Sequence, residues 1–534
     1  MRDAIPAASV SARSNIVFST IPLPVFAPVL LVIAAVLLGG LSSRRLTILP
    51  WLSEGAALAT LGLAALGVGQ LIQAGPIQIT WFEGPLAFAL RLDAVSATMS
   101  LLVAFVGWIV MRFSRTYLAH DRKEGAFHTQ MLVTLAAVQF LVLSGSFAVL
   151  LPAFIAVGIT LRKLLLFYSD RPQAQRAAAK FSLVWHAGDI ALLLAALLFA
   201  LATGTGVFSQ LSGFTGSHLE VLPHGAVALV VLAAVLKTAS FPLHGWLTEV
   251  MEAPTPVSAL LHAGIINAGG LLLIRLAELV QASPGAMAFL VMIGGLTALF
   301  GAVVMLTQSA VKTALAWSTV SQMGFMLLQC GLGLWPLALL HIVAHSLYKA
   351  HAFLSSAGAV GAVAKQRRPG AIAVPNLAAV AKSFALSLVL YGIVSTAFVW
   401  LAGPKSAQAF ALGAILIFGV AYLVAQGLAD AAPTALTRRT GLAATGVTLA
   451  YFAFQQVANT LWGAALPATP EVGPLEWALL ALAVTSFGLV ALAQTLFPLW
   501  AHHPASAGFR VHVANGFYLN ALLDRLTGGF RVAK

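Results

Sequence analysis

The sequence predicts an all-α, polytopic membrane protein with about 15 transmembrane helices. Of its 534 residues, 60% are hydrophobic and only 8% are charged, and the mean hydropathy is +0.95. A soluble protein of this length could not cover its surface with so few charges. Apolar runs recur along the whole chain, each of about 20 residues, which is the length that crosses the hydrocarbon core of a bilayer.

The expected spans follow one another with short loops, so no loop is long enough to form a separate domain. The first, Ile21 to Gly40, has the position of a signal peptide, but it is long enough to span and Arg44–Arg45 follow it. We therefore expect it to be retained as the first helix. The approximate cores are 23–42, 50–73, 92–112, 127–144, 146–168, 181–203, 224–250 (broken), 256–280, 285–307, 313–331, 333–361, 383–402, 407–428, 440–464 and 475–499.

The basic residues lie in alternate loops, which is the positive-inside pattern. This pattern predicts an amino terminus outside the cell and a cytoplasmic carboxyl terminus. It also assigns the net charge of +13 to membrane orientation rather than to nucleic-acid binding. Lys405 is the main exception. The loops that follow the odd-numbered spans hold Arg44, Arg45, Arg112, Arg115, Arg122, Lys123, Arg171, Arg176, Lys180, Lys365, Arg367, Arg368, Lys382, Arg438 and Arg439, and the carboxyl terminus holds Arg510, Arg525, Arg531 and Lys534.

Five segments are predicted along the chain. Residues 1–126 form amino-terminal helices, 127–281 and 282–428 form two five-helix repeats, 429–500 form carboxyl-terminal helices, and 501–534 form a cytoplasmic tail. An odd number of spans inverts the second repeat relative to the first. The tail mixes apolar and basic residues, so it reads as an amphipathic helix that lies on the membrane or docks a partner. A frayed basic tail is the alternative.

One helix is predicted to be broken, within LKTASFPLHGWLTEVMEAPTPVSALLHAGIINAGGLLLIR, residues 236–275. Pro242 follows a long apolar run that ends at Lys237, and proline removes a backbone donor and clashes one turn back. Pro254 and Pro256 mark the start of the next helix, and Thr255 and Ser258 are the candidates for its N-cap. Broken helices beside ionisable residues commonly line ion paths. This stretch therefore predicts an ion-handling site within the membrane.

Few ionisable residues fall inside the spans, and each is costly there unless it is paired or hydrated. Because buried lysine and histidine switch charge near neutral pH, they suit a proton path. Lys237 could instead snorkel to an interface, His262 could be a core histidine, and Lys312 could cap a span. Asp189 is the natural counter-charge for Lys237. The set is Asp189, Lys237, His244, His262, Lys312, His341, His345 and Lys349.

Three of these residues share one helix face. His341, His345 and Lys349 are spaced at i, i+4 and i+8, a stripe of about 12 Å at the α-helical rise. Two histidines at i, i+4 can also bind a metal, but no carboxylate or cysteine lies nearby in sequence. The single cysteine, Cys330, permits neither a disulfide nor a cysteine-based cluster. Proton transfer therefore ranks above a metal site, and no metal or cofactor is expected in this chain.

Four ordered segments resemble the antiporter-like subunits of proton-pumping NADH:quinone oxidoreductase and of Mrp-type antiporters. They are LDAVSATMSLLVAFVGWIVMRFSRTYLAHD (92–121), KTASFPLHGWLTEVMEAPTPVSALLHA (237–263), KTALAWSTVSQMGFMLL (312–328) and HIVAHSLYKAHAFLSSAG (341–358). The resemblance implies that Lys237 is the central lysine of the first half-channel and His262 its link. It implies that His341, His345 and Lys349 bridge to the second half, and that Asp189 matches a family carboxylate.

The chain departs from this family at two places. The fifth-helix region LLPAFIAVGITLRKLL lacks the usual glutamate, and the region near 383–405, where a second broken helix is expected, lacks a lysine at its middle. These departures and the segment VHVANGFYLNALLDRLTG resemble the DabB branch, the membrane subunits of bacterial inorganic-carbon uptake complexes. That resemblance implies an inner-membrane protein and a cytoplasmic DabA-like partner, a zinc protein similar to β-carbonic anhydrase. Cation flow, most plausibly of protons, would then drive CO2 hydration on the partner.

Two other hypotheses stay open at this point. The chain could be a proton-pumping subunit of a respiratory NADH:quinone oxidoreductase or an Mrp-type Na+/H+ antiporter. It could also be a membrane scaffold for a cytoplasmic enzyme, although a scaffold has no use for costly intramembrane lysines and histidines. In each case this chain is expected to be a membrane subunit rather than an enzyme.

Overall fold

The computed structural model describes residues 21–41, 48–211, 221–356, 358, 376–428, 434–500 and 503–526. These residues fall into two compact units, one within Met1–Leu161 and Phe199–Gly213, the other within Arg162–Leu198 and Phe214–Lys534. Part of the predicted orientation rests on residues outside the described ranges, namely Arg44, Arg45, Lys365, Arg367, Arg368, Arg531 and Lys534. The predicted amino-terminal and carboxyl-terminal orientations therefore remain predictions, as do the two inverted repeats.

The first unit is built from long helices and one hairpin. The helices are α1 (Phe26–Leu41), α2 (Leu49–Ala74), α3 (Ala94–Tyr117), α4 (Glu124–Leu143) and most of α5 (Phe147–Leu165). Helix α6 (Pro172–Thr203) belongs mainly to the second unit, and the short α7 (Phe208–Leu211) belongs to the first. Helices α3 and α4 share a buried polar pair, in which Ser100 Oγ donates to Gln139 Oε1 over 2.8 Å.

The described residues are helical as predicted, with one short hairpin just before α3. Strands β1 (Ile77–Trp81) and β2 (Phe88–Leu92) form an antiparallel hairpin in which Ile79 pairs with Leu90. The β-branched and aromatic residues of IQITW favour a strand. This five-residue segment was not predicted because it lies between two longer apolar helices. The hairpin leads into a capping box at the start of α3, where Asp93 Oδ1 accepts from Ser96 N over 2.8 Å.

The second unit holds the remaining helices, and all of the predicted site residues lie in it. In chain order they are α8 (Val221–Lys237), α9 (Gly245–Thr248), α10 (Thr255–Ala263), α11 (Ala268–Arg275), α12 (Ala277–Gln281), α13 (Pro284–Met305), α14 (Val311–Gly331), α15 (Trp335–Ser356), α16 (Leu377–Ala402), α17 (Ala407–Gly427), α18 (Thr434–Trp462), α19 (Pro474–Trp500), α20 (Pro504–Ala514) and α21 (Leu519–Leu526).

Helices α13 and α14 pack against each other through glycines. A Cβ on Gly324 would lie 2.4 Å from the backbone nitrogen of Ala298, and one on Gly301 would lie 2.6 Å from that of Ser321. Small residues let helix backbones approach closely, and this close contact is a common source of helix association in membranes. These glycines therefore allow α14 to lie directly against α13. Helix α14 also carries side chains that contact the predicted site residues.

Within the described part of the chain, 11 helices are long and apolar enough to cross a membrane. The predicted count of 15 stays a prediction, because the other four expected spans are shorter or less apolar. They correspond to α8, α14, α17 and α18. The chain is a multi-pass membrane protein.

In the region near 383–405 the helix is interrupted only at its end, in the connection 403–406 between α16 and α17. Helix α16 runs without interruption over 26 residues from Leu377 to Ala402, and it carries no lysine beyond Lys382 in its first turns. The sequence of this helix holds no proline, which explains its continuity. The described residues therefore contain the predicted break after α8, whereas the region near 383–405 has only the connection between α16 and α17.

Candidate functional site

The predicted helix break is present. Helix α8 ends at Lys237, and the chain runs without regular helix through Pro242 until α9 begins at Gly245. Ala239 adopts the left-handed backbone conformation, with φ of 51°, which non-glycine residues rarely adopt. The break therefore frees backbone groups next to an ionisable side chain.

The restart of the helix differs from the prediction in one detail. Pro254 is the N-cap of α10 and Pro256 lies in its first turn, as the sequence indicates. Neither Thr255 nor Ser258 caps the helix, because Thr255 is already the first helical residue and no side-chain capping bond forms. Ser258 Oγ has no hydrogen-bond partner among the described residues, so it is a buried polar atom beside the break.

Lys237 and Asp189 form a buried ion pair, as the sequence predicts. Lys237 Nζ lies 2.6 Å from Asp189 Oδ1, and it also donates to the carbonyl oxygen of Trp185 over 3.3 Å. The ammonium lies 4.2 Å from the centre of the Trp185 ring, and the lysine is 0% exposed. The snorkelling alternative is therefore wrong for Lys237. A buried pair of this kind exists at large desolvation cost, which makes it a strong functional candidate.

Helix α6 brings the carboxylate to the lysine because a glycine precedes it. A Cβ on Gly188 would lie 3.3 Å from both Cγ and Cε of Lys237, so the lysine stem lies along the α6 backbone. The next residue, Asp189, then points its carboxylate at the ammonium. The counter-charge of Lys237 therefore comes from α6.

His186 is a site residue that the sequence analysis missed. Its Nδ1 lies 2.9 Å from Asp189 Oδ2, the oxygen that does not face Lys237, and its side chain is 41% exposed. Because a carboxylate only accepts, Nδ1 carries the proton in this contact. The i, i+3 spacing within WHAGDI was a usable signal, since residues three apart share a helix face. Asp189 therefore joins a fully buried lysine to a half-exposed histidine.

His262 is buried and has one nitrogen without a partner. Its Nδ1 lies 3.1 Å from Thr319 Oγ1, and that hydroxyl donates to Leu315 O over 3.0 Å. The hydroxyl therefore accepts from His262 Nδ1–H, which leaves Nε2 as the basic nitrogen. Among the described residues Nε2 has no hydrogen-bond partner, and the ring stacks on Phe353 at 4.3 Å. His262 therefore has a neutral ring in this contact, with the lone pair of Nε2 unused among the described residues.

His345 links the stripe on α15 to His262. Its Nε2 lies 3.1 Å from the carbonyl oxygen of His262, so Nε2 carries a proton. Its Nδ1 lies 2.8 Å from the Gln322 side-chain amide. If that amide presents its oxygen the ring holds two protons, and if it presents its NH2 group the ring is neutral. The side-chain amide of Gln322 would therefore have to rotate whenever this ring gains or loses a proton.

The other two members of the stripe occupy the same helix face with different partners. His341 Nδ1 lies 2.8 Å from Gln329 Oε1, and its ring centre is 5.9 Å from that of His345. Lys349 is 0% exposed and donates to the hydroxyl of Ser318 and to the carbonyl oxygen of Leu315. Leu315 O thus accepts from both Lys349 and Thr319. This shared acceptor connects Lys349 with the His262 contact.

The predicted site residues therefore form two groups, and two residues, Lys312 and His244, stand apart. The first group is Lys237 with Asp189, and the second joins His262, His341, His345 and Lys349 through α14 side chains. Lys312 is half-buried near the start of α14 and takes part in neither group among the described residues. Its capping alternative stays open. No cluster of three or more histidine, cysteine, aspartate or glutamate side chains occurs in the described ranges.

A second set of charges joins the buried Lys180 to two partly exposed carboxylates. Lys180 Nζ lies 2.5 Å from Glu249 Oε1, just after α9, and 2.5 Å from Asp524 Oδ1 on α21. His244 stands at the N-cap of α9 against the rings of Phe300 and Trp317, and within the described part of the chain neither of its ring nitrogens has a hydrogen-bond partner. The sequence analysis assigned Lys180 to a basic loop and did not foresee these acids.

The carboxyl-terminal segment packs on the second unit, so the frayed alternative is wrong for residues 503–526. Gln308 Nε2 donates to Ala514 O over 3.1 Å, and the Phe517 ring lies 6.1 Å from that of Phe300. A Cβ on Gly516 would lie 3.2 Å from the Trp317 ring, so the segment turns tightly over α14. Its predicted contact with a membrane surface or a partner stays a prediction.

We expect an Asp524→Asn variant to loosen this segment. Losing the charge weakens the contact with the buried Lys180, and a hydrogen bond to a charged group contributes about 1.5–3 kcal/mol. Tryptic cleavage at the exposed Arg510 and Arg525 should then become about 10-fold faster, as mass spectrometry of a digestion time course would show. Asp170→Asn removes an exposed carboxylate and serves as the control. Equal cleavage rates for Asp524→Asn and the unaltered chain would mean that other contacts hold the segment.

Comparison with protein-family models gives two matches. The model described as NADH:quinone oxidoreductase/Mrp antiporter, TM, matches residues 144–427. The model described as NADH-ubiquinone oxidoreductase (complex I), chain 5 N-terminus, matches residues 81–128. The first match covers more than half of the chain and includes every residue of both groups.

Curated relatives include inorganic carbon transporter subunits and quinone oxidoreductase subunits. The chain is 36% identical over 486 residues to the probable inorganic carbon transporter subunit DabB2 of Halothiobacillus neapolitanus, covering 89% of this chain and 87% of that protein. It is 41% identical over 318 residues to the probable inorganic carbon transporter subunit DabB of Hydrogenovibrio crunogenus, covering 58% and 60%. It is 34% identical over 307 residues to the chloroplastic NAD(P)H-quinone oxidoreductase subunit 5 of Ipomoea purpurea, covering 55% and 43%.

Two solved structures share the fold. A chain of the Mrp complex from Dietzia sp. DQ12-45-1b superposes with a TM-score of 0.61 at 23% identity, covering 93% of this chain and 59% of that chain. A chain of the membrane-bound sulfane sulfur reductase, an archaeal respiratory membrane complex, superposes with a TM-score of 0.57 at 18% identity, covering 89% and 77%. At these identities the likeness shows the fold alone.

Proposed function

We propose that this chain, which belongs to the NADH:quinone oxidoreductase/Mrp antiporter family of membrane subunits, is the cation-conducting subunit of a transporter for dissolved inorganic carbon. The conducted cation is most plausibly the proton, because the groups inside the second unit are lysines and histidines rather than a cage of oxygen ligands. The observation that carries the proposal is the buried Lys237–Asp189 pair beside a broken helix.

The geometry supports a charge-switching role for this pair. Asp189 has one oxygen on Lys237 and the other on His186, so a proton that arrives at the carboxylate weakens its hold on the ammonium. The released amine can then give up its own proton, since a buried lysine that loses its counter-ion favours the neutral form. The second group, from His262 to Lys349, offers the next proton acceptors along the chain.

The departures from the family pattern favour a carbon transporter over a pump with two half-channels. Helix α16 is continuous from Leu377 to Ala402 and has no lysine at its middle, and Lys405 follows it in the short connection to α17. The relative named DabB2 covers 89% of this chain, whereas the chloroplastic quinone oxidoreductase subunit from Ipomoea covers 55%. The long match therefore supports the assignment to the carbon-transport branch.

In this proposal the chemistry on carbon dioxide occurs on another chain. A DabA-like cytoplasmic zinc protein, similar to a β-carbonic anhydrase, would hydrate CO2 to hydrogencarbonate, and cation flow through this chain would make that reaction one-way. The present chain would hold no zinc and no other cofactor. It would lie in the bacterial inner membrane, with the segment 503–526 and the basic loops on the cytoplasmic side available to the partner.

The test is copurification of the tagged chain from membranes of its own cells, followed by metal analysis and mass spectrometry. The proposal expects one large soluble partner and about one zinc ion per partner chain. Flavin, iron–sulfur clusters or quinone-reductase subunits would overturn it and favour the alternative, a subunit of a respiratory NADH:quinone oxidoreductase or of an Mrp-type Na+/H+ antiporter. The similarity to the chloroplastic quinone oxidoreductase subunits and the fold shared with a chain of the Mrp complex support that alternative.

A further inference from the structure

We propose that the segment 503–526 is an autoinhibitory cover, which closes the second unit at the helix break and prevents cation leakage while it is in place. The proposal rests on the proposed function, since a cover of this kind requires a cation path beneath it. The segment contacts the helix that restarts after the break, it excludes solvent from buried polar groups, and polar contacts hold its last helix. These three features together favour a movable cover over a fixed part of the core.

The last helix of the described chain, α21, lies directly against α9. A Cβ on Gly245, the first residue of α9, would collide with the side chain of Asn520, so the amide occupies the space that a side chain would need. Asn520 Nδ2 also donates to Thr248 Oγ1 over 3.4 Å. One turn later, Asp524 pairs with the buried Lys180 of α6. Helix α21 therefore connects α9 with α6 just after the break.

The turn before α21 covers a buried histidine. His244 is 1% exposed, and neither of its ring nitrogens has a hydrogen-bond partner among the described residues. Its ring packs on those of Phe300 and Trp317, with ring centres 5.2 and 4.9 Å away. Phe517 packs in turn on Phe300, and a Cβ on Gly516 would lie 3.2 Å from the Trp317 ring. Because buried polar groups are normally satisfied by protein or water, His244 would gain hydrogen bonds to water when the segment leaves.

Aromatic side chains connect this covered layer with the ion pair. Trp246 on α9 is 2% exposed, and its ring centre lies 6.3 Å from that of Trp185. The Trp185 ring in turn lies 4.2 Å from the ammonium of Lys237. Lys180 precedes Asp189 by nine residues on α6, which is about 14 Å along the helix axis. The cover therefore lies close to the charge-switching pair and on the same helices.

Polar contacts rather than apolar burial hold α21 in place. Asn520 and Asp524, four residues apart, contact the rest of the chain, whereas Leu522 and Leu526 are 55% and 75% exposed. Most helices in proteins are stabilised by the packing of an apolar face, and α21 presents that face outward. The loss of one charge should therefore be enough to release this helix.

The connection between α20 and α21 is strained. Gly516, Phe517 and Tyr518 have φ of 56°, 51° and 59°, so three successive residues adopt the left-handed conformation. Glycine adopts it without steric cost, but the two aromatic residues do not. Strain of this kind persists only where the surrounding structure holds it, and it is concentrated at functional and switch regions. It favours opening of the cover, because the turn can relax once α21 leaves α9.

The first experiment measures proton entry into proteoliposomes that contain the purified full-length chain alone, with a trapped pH-sensitive dye and an imposed membrane potential. We expect Asp524→Asn to leak about 10-fold faster than the unaltered chain, because the cover then opens more often. Asp170→Asn, which removes an exposed carboxylate, should leak as slowly as the unaltered chain. Adding Lys237→Met and Asp189→Asn to the Asp524→Asn chain should abolish the extra leak, since the leak would use the same path.

A cross-link tests the cover without relying on its release. Thr248→Cys and Asn520→Cys, joined by a short, cleavable bifunctional thiol reagent, should hold the cover closed in the assembled complex. Cation uptake by the complex should then fall about 10-fold, because the closed state can no longer open, and cleavage of the reagent should restore it. Each single cysteine variant treated in the same way is the control. Cys330 is buried and should not react.

Three results would overturn the inference. Faster tryptic cleavage of the Asp524→Asn segment without faster proton entry would show that the segment does not close the path. An extra leak that survives the loss of Lys237 and Asp189 would do the same. Full uptake by the cross-linked complex would mean that the segment is a fixed part of the fold, and this result decides alone if Asp524→Asn changes neither cleavage nor leak.

These results are distinguishable from failure of the proposed function. Cation uptake by the complex without the cross-link is measured in the same preparation. If that complex takes up cations while the cover tests fail, the proposed function stands and only the cover is rejected. If that complex takes up no cations, the proposed function itself fails.

Discussion

A Lys237→Met variant, paired with Asp189→Asn so that no charge is left buried alone, is expected to assemble normally and to lose cation-coupled transport by about 100-fold or more. The amine is 0% exposed and its contacts come from α6, so solvent cannot replace it. Methionine keeps the length of the lysine stem up to Cε and carries no exchangeable proton. The single variant Lys237→Met would be a poorer probe, because it leaves the Asp189 charge buried without its partner. Such an unpaired buried charge destabilises the fold by about 3–5 kcal/mol.

The measurement is cation uptake by the complex in proteoliposomes, with the amount of assembled complex determined for each variant. Lys382→Met is the matched control, since it removes an exposed lysine and should transport normally. Lys237→Arg separates charge from charge switching: arginine keeps the ion pair but does not release its proton, so it too should be inactive. Full transport by the double variant would instead support the hypothesis of a membrane scaffold.

A Gly324→Val variant is expected to fail to accumulate in the membrane. The first side-chain atom on Gly324 would lie 2.4 Å from the backbone nitrogen of Ala298 and 2.7 Å from the carbonyl oxygen of Gly294. Backbone atoms cannot move aside as a flexible side chain can, so α14 would have to separate from α13. Overpacking of this kind costs about 1–3 kcal/mol or more, and a marginally stable protein has little to spare.

Gly295→Val is the matched control for this substitution. Gly295 lies on α13 next to Gly294, and a Cβ there meets no atom within 4 Å. Both variants introduce the same side chain into a helix, so a difference in membrane level or in melting temperature reports the close approach alone. Equal melting temperatures for the two purified variants would show that α13 and α14 do not depend on this contact.

Composition and periodicity were enough to predict the class of protein and the position of the broken helix. Repeated apolar runs require a membrane, and Pro242 after a long run requires a break, so both follow from backbone chemistry that is local in sequence. The spacing of His341, His345 and Lys349 places them on one face of any helix. These predictions needed no knowledge of which helix packs against which.

Other features escaped the sequence because they depend on contacts between distant residues. The hairpin before α3 was missed since its strands are only five residues each and lie between two stronger helical signals. Lys180 looked like a loop cation, and its two acids are 69 and 344 positions away along the chain. His186 had a local signal, the i, i+3 spacing to Asp189, that was not used.

The sequence by itself therefore determined the membrane class, the broken helix and the identity of its titratable residues, because hydropathy and proline act on neighbouring residues. Only the tertiary structure decided that the second oxygen of Asp189 faces His186, that His345 reaches the His262 backbone, and that Lys180 pairs with Glu249 and Asp524. The physical reason is that the cost of a buried charge depends on its distance to the opposite charge, and that distance is set by helix packing.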